Sequence, residues 1–173
     1  MSKISIYTPE TTPNELVERK NSKHEFKVFL AGTIDDGDST DWQSKVIEQV
    51  QGAMTYDISI YNPRRKSWDP KARQDEVMQQ IDWEQRALST ADHIYMVFLD
   101  NSKSPISFLE LGLFARTRKI TVFCTPNFYR YFNVLDTCHR YNLEIVNSTD
   151  PGVIARRITR NAKDFEILES YTT

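Results

Sequence analysis

Residues 93–124, "HIYMVFLDNSKSPISFLELGLFARTRKITVFC", carry the pattern on which the fold turns. The run 93–99 is apolar and of strand length, and Ile120–Cys124 is a second such run. Between them residues 105–117 read as a helix, with Ser104 and Pro105 suited to the N-cap and first helical position. A strand, a helix and a second strand of this kind form a right-handed βαβ unit with its strands parallel. Strands that are apolar throughout, rather than alternating, fit a sheet covered on both faces.

The alternation continues in both directions. Residues 27–31 (KVFLA) followed by Gly32 read as a buried strand and its turn. The loop 33–38 carries Asp35, Asp36 and Asp38, and Ser39 or Thr40 can cap a helix running to about Ala53, with Trp42, Val46, Val50 and Ala53 on one stripe. Residues 57–61 form the next strand, broken by Asn62-Pro63, and the loop 62–70 (NPRRKSWDP) leads to a helix over about 72–91. Beyond Cys124, residues 129–141 read as a helix, 143–146 as a strand and 151–169 as the closing helix. The predicted fold is therefore α/β: a Rossmann-like or flavodoxin-like three-layer sandwich with a mainly parallel five-stranded sheet, over residues 26–173. Residues 1–25, polar and with two prolines, read as an N-terminal arm or extension, with a short strand at 3–7 as an option. In such a sheet a ligand sits at the carboxyl ends of the strands, near the switch point of strand order.

At 173 residues the chain is one domain long, and its composition, 39% hydrophobic and 27% charged, is that of a globular protein. A net charge of −2 argues against a chain built to coat nucleic acid. The start, Met1-Ser2-Lys3-Ile4-Ser5, lacks the apolar core of a signal peptide, and no apolar run is long enough to span a bilayer. A cytoplasmic protein without a membrane partner is expected. Cys124 and Cys138 have no metal-like spacing and read as free structural thiols, so neither metal nor cofactor is expected. Residues 32–37 lack the Lys-Ser/Thr of a P-loop, and no G-x-G-x-x-G occurs. His93 and His139 have no Ser or Cys partner in a recognisable motif, which leaves a hydrolytic triad unsupported. Arg156, Arg157 and Arg160 read as a charged helix face, and the three aspartates of the 33–38 loop as a solvated turn in preference to a contact with ribose hydroxyls or a metal.

Two glutamates break this ordinary picture. On the helix 105–117, the neighbours of Glu110 at helical spacing are Ile106, Leu113 and Phe114. On the helix 72–91, Val77, Ile81 and Leu88 make an apolar stripe whose missing member is Glu84. Burying a carboxylate costs several kcal/mol, roughly, unless it is paired or used. Two such groups flanking neighbouring strands would have raised pKa values, and repulsion would raise one further. One carboxyl can then hold a proton as a general acid while the other acts as an anionic nucleophile.

The set Gly32-Thr33-Ile34, YNPRR (Tyr61, Asn62, Pro63, Arg64, Arg65), DWEQRALSTAD (82–92) and S-x-x-x-x-x-E-L-G (104–112) resembles the nucleoside 2-deoxyribosyltransferase-like superfamily, which includes 2′-deoxynucleoside 5′-phosphate N-hydrolases. The resemblance covers roughly residues 27–125. It implies that Glu110 is the nucleophile that attacks the anomeric carbon and forms a covalent glycosyl-enzyme. It implies that Glu84, where relatives usually have aspartate, is the acid facing the departing base, with Asp82 as the alternative. It also implies that Ser104 sits where nucleoside-active relatives place aspartate and 5′-phosphate hydrolases place serine, a slight lean towards a nucleotide. Phe29 stands where many relatives have a tyrosine that orients the nucleophile, which leaves Thr33 or Tyr61 to do so. The remaining substrate contacts fall on Gly32, Thr33, Asn62, Arg64, Arg65 and Trp68; the arginines suit a phosphate and the tryptophan a base.

The function expected is cleavage or transfer at the N-glycosidic bond of a 2′-deoxyribonucleoside or its 5′-phosphate. The partner is then a small nucleoside or nucleotide, and relatives that share active sites imply a homo-oligomer, dimeric or larger. The competing readings are a non-catalytic nucleotide-binding or sensing module on the same scaffold, and a glycohydrolase of NAD-like or nucleic-acid-linked ribosides.

Overall fold

A computed structural model describes residues 3–12, 25–35, 38–66 and 73–171. In chain order the strands are β1 (Ile4–Tyr7), β2 (Phe26–Gly32), β3 (Ile58–Tyr61), β4 (His93–Phe98), β5 (Ile120–Cys124) and β6 (Glu144–Val146). The helices are α1 (Trp42–Ala53), α2 (Gln74–Thr90), α3 (Pro105–Phe114), α4 (Tyr131–Tyr141) and α5 (Pro151–Ser170), and a 3-10 turn (Ala115–Thr117) follows α3. All six strands are parallel, in the order β1-β3-β2-β4-β5-β6. From β2 the chain crosses to β3 on one side and later returns to β4 on the other, so the switch point lies between β2 and β4.

The sheet has one strand more than the five expected. Ile4 pairs with Ile58 and Tyr7 with Tyr61, which adds β1 to the outer edge of β3. The Tyr7 ring stacks on Tyr61 with centroids 5.3 Å apart, so this short strand is held by a ring contact as well as its ladder.

Period-two alternation sorts the strand residues onto two cores. Val28, Leu30, Ile58, Ile60, Tyr95, Val97 and Phe123 face α1 and α5, packing on Trp42, Val46, Ile154 and Ile158. Phe29, Ala31, Ile94, Met96, Phe98 and Val122 face the other side, against Trp83, Leu88, Leu111 and Val134 from α2, α3 and α4. The second face carries both glutamates.

Helix boundaries follow local chemistry that differs from the expectation in two places. Asp41, not Ser39 or Thr40, caps α1: its carboxylate accepts from the Ser44 N–H at 3.0 Å. Ser39 is unavailable because its hydroxyl donates to the Ile34 carbonyl at 2.8 Å. Ser104 does stand at the N-cap position of α3, but its hydroxyl makes no capping bond and its backbone is left-handed, at φ 47° and ψ 50°. The far end of α2 is closed by a residue from another element. The Lys119 ammonium, just before β5, donates to the carbonyls of Leu88, Ser89 and Ala91 at 2.7–3.0 Å. A cation on those orphan carbonyls is the complement that a helix C-terminus needs, and it fixes α2 against the sheet.

Candidate active site

At the carboxyl ends of β2 and β4 lies a cavity of about 490 Å³, the size of a small-molecule site. Its floor is Phe29, Ala31 and Gly32 of β2, and its walls come from α2 and the first turns of α3. The chain can turn here because of Gly32. Its φ is +131°, and a Cβ would stand 2.1 Å from the Val97 carbonyl oxygen on β4. Only glycine permits both the backbone conformation and that approach. Thr33 then ties the turn to β4: its N–H donates to the Val97 carbonyl at 2.9 Å and its hydroxyl accepts from the Leu99 N–H at 3.0 Å.

Glu84 and Glu110 both line this cavity. Glu110 is 5% exposed, and its carboxyl is raised from an ordinary 4.5 to about 8, first by burial and then by the charge of Glu84. Glu84 is raised as well, by burial, but two neighbours favour its anion. The Gln80 amide donates to it at 2.8 Å, and the Arg65 guanidinium attracts it. The last proton of the pair therefore rests on Glu110 in the free protein, while Glu84 is the better-supported anion.

The stripe that pointed to Glu84 has a different physical origin from the one expected. Only Leu88 of its three apolar members is buried; Val77 and Ile81 are 40% and 44% exposed and face the cavity. Around Glu110, Ile106 is likewise 60% exposed and lines the mouth, and Leu113 is 56% exposed. Val77, Ile81 and Ile106 thus face an open pocket, while Leu88 and Leu111 of the same helices pack on the sheet.

The other expected residues divide. Phe29, Gly32, Arg65 and Ser104 line the cavity. Thr33, Asn62 and Arg64 are not among its lining residues. Asn62 shapes the loop, its side-chain oxygen accepting from the Arg64 N–H at 3.0 Å. That turn sends Arg64 away from the cavity, where its guanidinium donates to the Ser39 carbonyl at 2.6 Å and faces Asp41 at 3.7 Å. Asp82 sits on the solvent side of α2 in an ion pair with Arg86 at 2.8 Å. Trp68 and Asp36 lie outside the described residues. Phe29 has no hydroxyl to offer Glu110, and the Thr33 hydroxyl, directed at Ser104 and Leu99, is turned to other partners.

Sequence reasoning missed Gln80, Glu76 and Glu10 and read Asp35 as part of a solvated turn; all four line the cavity. Gln80 and Glu76 stand four and eight residues before Glu84 on one helix, so spacing could have found them. Glu10 arrives from the segment after β1, and nothing in the local sequence marks it. Among the described residues no group of three or more His, Cys, Asp or Glu side chains is arranged to hold a metal ion.

The fold and site together define an α/β protein with a buried carboxyl and a half-buried one paired at the switch point of a parallel sheet. The chain belongs to the nucleoside 2-deoxyribosyltransferase-like family, whose model matches residues 25–128. That stretch runs from β2 through α3 and β5 and includes both glutamates. Members of the family typically transfer or hydrolyse at N-glycosidic bonds, with nucleosides or nucleotides as ligands. Among solved structures, a conserved protein from Enterococcus faecalis V583 is similar in fold, with a TM-score of 0.55 and 13% identity. The match covers 82% of this chain and 99% of that one. No curated protein matches the sequence. Among the described residues no helix is long and apolar enough to cross a membrane.

Proposed function

We propose that this protein cleaves or transfers at the N-glycosidic bond of a 2′-deoxyribonucleoside or its 5′-phosphate, with Glu110 as nucleophile and Glu84 as acid. The observation that carries this reading is the pair itself: two carboxyls in one cavity, with Glu110 raised to about 8 by burial and by its partner. Such a pair holds one proton across the neutral range, which is the stock that this chemistry needs. Substrate binding moves the proton from Glu110 to Glu84. The Glu110 carboxylate then attacks C1′, the C1′–N bond breaks, and the base leaves with the bonding electrons and takes the proton from Glu84. In the second half, water or another base attacks C1′ as Glu84 removes its proton, and the glycosyl ester releases Glu110 as a carboxylate.

The apolar side chains left exposed on the two helices that wall the pocket, Met78 and Ile81 on α2 and Ile106 and Leu109 on α3, support self-association through these helices. A homo-oligomer covering them would also close the pocket to water.

The test is incubation with a panel of deoxynucleosides and their 5′-monophosphates, with and without a free acceptor base, for the native protein, Glu110→Ala and Glu110→Gln. Base release that stops in both variants, with a glycosyl adduct trapped on Glu110, is the expected result. Release that survives Glu110→Ala overturns the mechanism. The second reading, a binding module without turnover, has Phe29 in its favour, since the floor beside Glu110 lacks a hydroxyl to orient it. Micromolar binding without base release on any substrate would select it.

A further inference from the structure

Resting on the reading of Glu110 as nucleophile, we infer that the sugar end of the cavity is built to accept a free primary hydroxyl and to reject a 5′-phosphate. Asp35 sets that choice through Ser102 and Ser104. With C1′ at Glu110 and the departing base on the side of Glu84, the rest of the sugar extends towards the start of α3. There Ser104 and Asp35 line the cavity.

The hydrogen-bond order at this end is fixed by its terminus. A carboxylate only accepts, so the Ser102 hydroxyl donates to Asp35, at 2.7 Å. Ser102 has no second proton. Its oxygen therefore accepts whatever comes from Ser104, whose N–H lies at 3.0 Å and hydroxyl at 2.9 Å. Among the described residues, the other hydrogen-bond neighbour of the Ser104 hydroxyl is Thr33, at 2.5 Å. With each of these contacts made as a hydrogen bond, the Ser104 proton is spent inward, and what Ser104 offers the cavity is a lone pair unless an inward bond is broken. A sugar hydroxyl can donate to it; a phosphate dianion cannot.

The surroundings point the same way. Five acidic side chains line the cavity (Glu10, Asp35, Glu76, Glu84 and Glu110, the last holding the proton of its pair), and Arg65 is the one Lys or Arg among its described lining residues. Arg64, the other candidate for a phosphate grip, is bound to Ser39 and Asp41. The first position of α3 is Pro105, which has no N–H to give an anion. Serine at position 104 thus has a role opposite to the phosphate-binding one that its identity alone suggests.

The experiment measures kcat/KM for a deoxynucleoside and its 5′-monophosphate on the native protein and on Asp35→Asn and Ser102→Ala. Binding of both ligands to Glu110→Gln is measured by calorimetry. The native protein should favour the nucleoside by about a hundredfold or more, the scale set by an unpaired phosphate among like charges. Asp35→Asn lets the side-chain amide donate to Ser102 and reverses the order of the chain. The preference should fall at least about tenfold, mostly through KM for the monophosphate, with the melting temperature little changed. Ser102→Ala, which frees the Ser104 hydroxyl, should act in the same direction. A Glu110-dependent preference for the monophosphate overturns this inference and leaves the mechanism standing. A nucleoside preference that Asp35→Asn leaves unchanged removes Asp35 from the role. Neither turnover nor binding of either ligand overturns both.

Discussion

Glu110→Gln should make the protein more stable, and only above a defined pH. Folding lifts the Glu110 carboxyl from 4.5 to about 8, mainly by taking it out of water. Between those values the folded protein keeps a proton that the unfolded chain has released. The stability associated with this group is thus complete below pH 4.5, falls by about 1.4 kcal/mol per pH unit as pH rises, and levels off above 8. Across the interval the loss is on the order of 3–5 kcal/mol. Glutamine has nearly the same shape and no charge to desolvate, so the variant escapes the loss. For a chain of this size each kcal/mol moves the melting temperature by about 2–4 °C, so the gain at pH 8.5 should be roughly 10 °C. His93, held down to about 4 by burial, acts oppositely: its stability is complete above 6.5 and is lost as pH falls through 4. It is present in both proteins and cancels in the difference. The assay is thermal or urea unfolding of both proteins from pH 5 to 9. Curves that coincide at pH 5 and diverge towards 8 are expected; parallel curves would falsify the burial of a charge-bearing Glu110.

If turnover needs one proton on the pair, kcat/KM should fall on an alkaline limb with its midpoint near 8, and Glu84→Gln should abolish that limb along with most of the rate. An alkaline limb unaffected by Glu84→Gln would assign it to another group. Arg64→Ala should cost about 2 kcal/mol of stability, since a charged donor to the Ser39 carbonyl is lost, yet change KM for a nucleoside less than about threefold. A large rise in KM at unchanged stability would return Arg64 to the cavity. Gly32→Ala should destabilise by more than about 3 kcal/mol or prevent folding, because a Cβ 2.1 Å from the Val97 oxygen has only backbone to displace. A soluble variant with a native melting curve would contradict the approach of β2 to β4.

The layered sheet was legible because parallel strands buried on both faces need unbroken apolar runs, and residues 93–98 and 120–124 supply them. Strand β1 was harder to read. Its four residues, Ile4-Ser5-Ile6-Tyr7, alternate too briefly to distinguish an edge strand from an arm. What makes them a strand is the β3 edge and the Tyr61 ring, both more than fifty residues away in sequence. The cap of α1 was misplaced by one or two residues for a similar reason: three polar residues in a row could each cap, and Ser39 is withdrawn by its bond to Ile34.

The two glutamates stand out in sequence because each interrupts an apolar helix face, but periodicity does not say what that face looks at. Val77, Ile81 and Ile106 form a wall around a cavity, and a wall of that kind has the same spacing as one that packs on a sheet. Arg64 and Arg65 are chemically identical in the sequence, and one Asn62 turn sends them to different places. Ser104 is the deepest case. Serine before proline at the head of a helix predicts a cap, and serine six residues before the glutamate predicts, by resemblance, a phosphate contact. Its left-handed backbone takes the hydroxyl out of the cap and into a chain that ends on Asp35, nearly seventy residues earlier. A hydroxyl is donor and acceptor at once, and only the last acceptor in its chain decides which face it shows to a ligand. Residue type alone therefore does not tell a nucleoside site from a nucleotide site here; in the reading proposed above, the direction of three hydrogen bonds does.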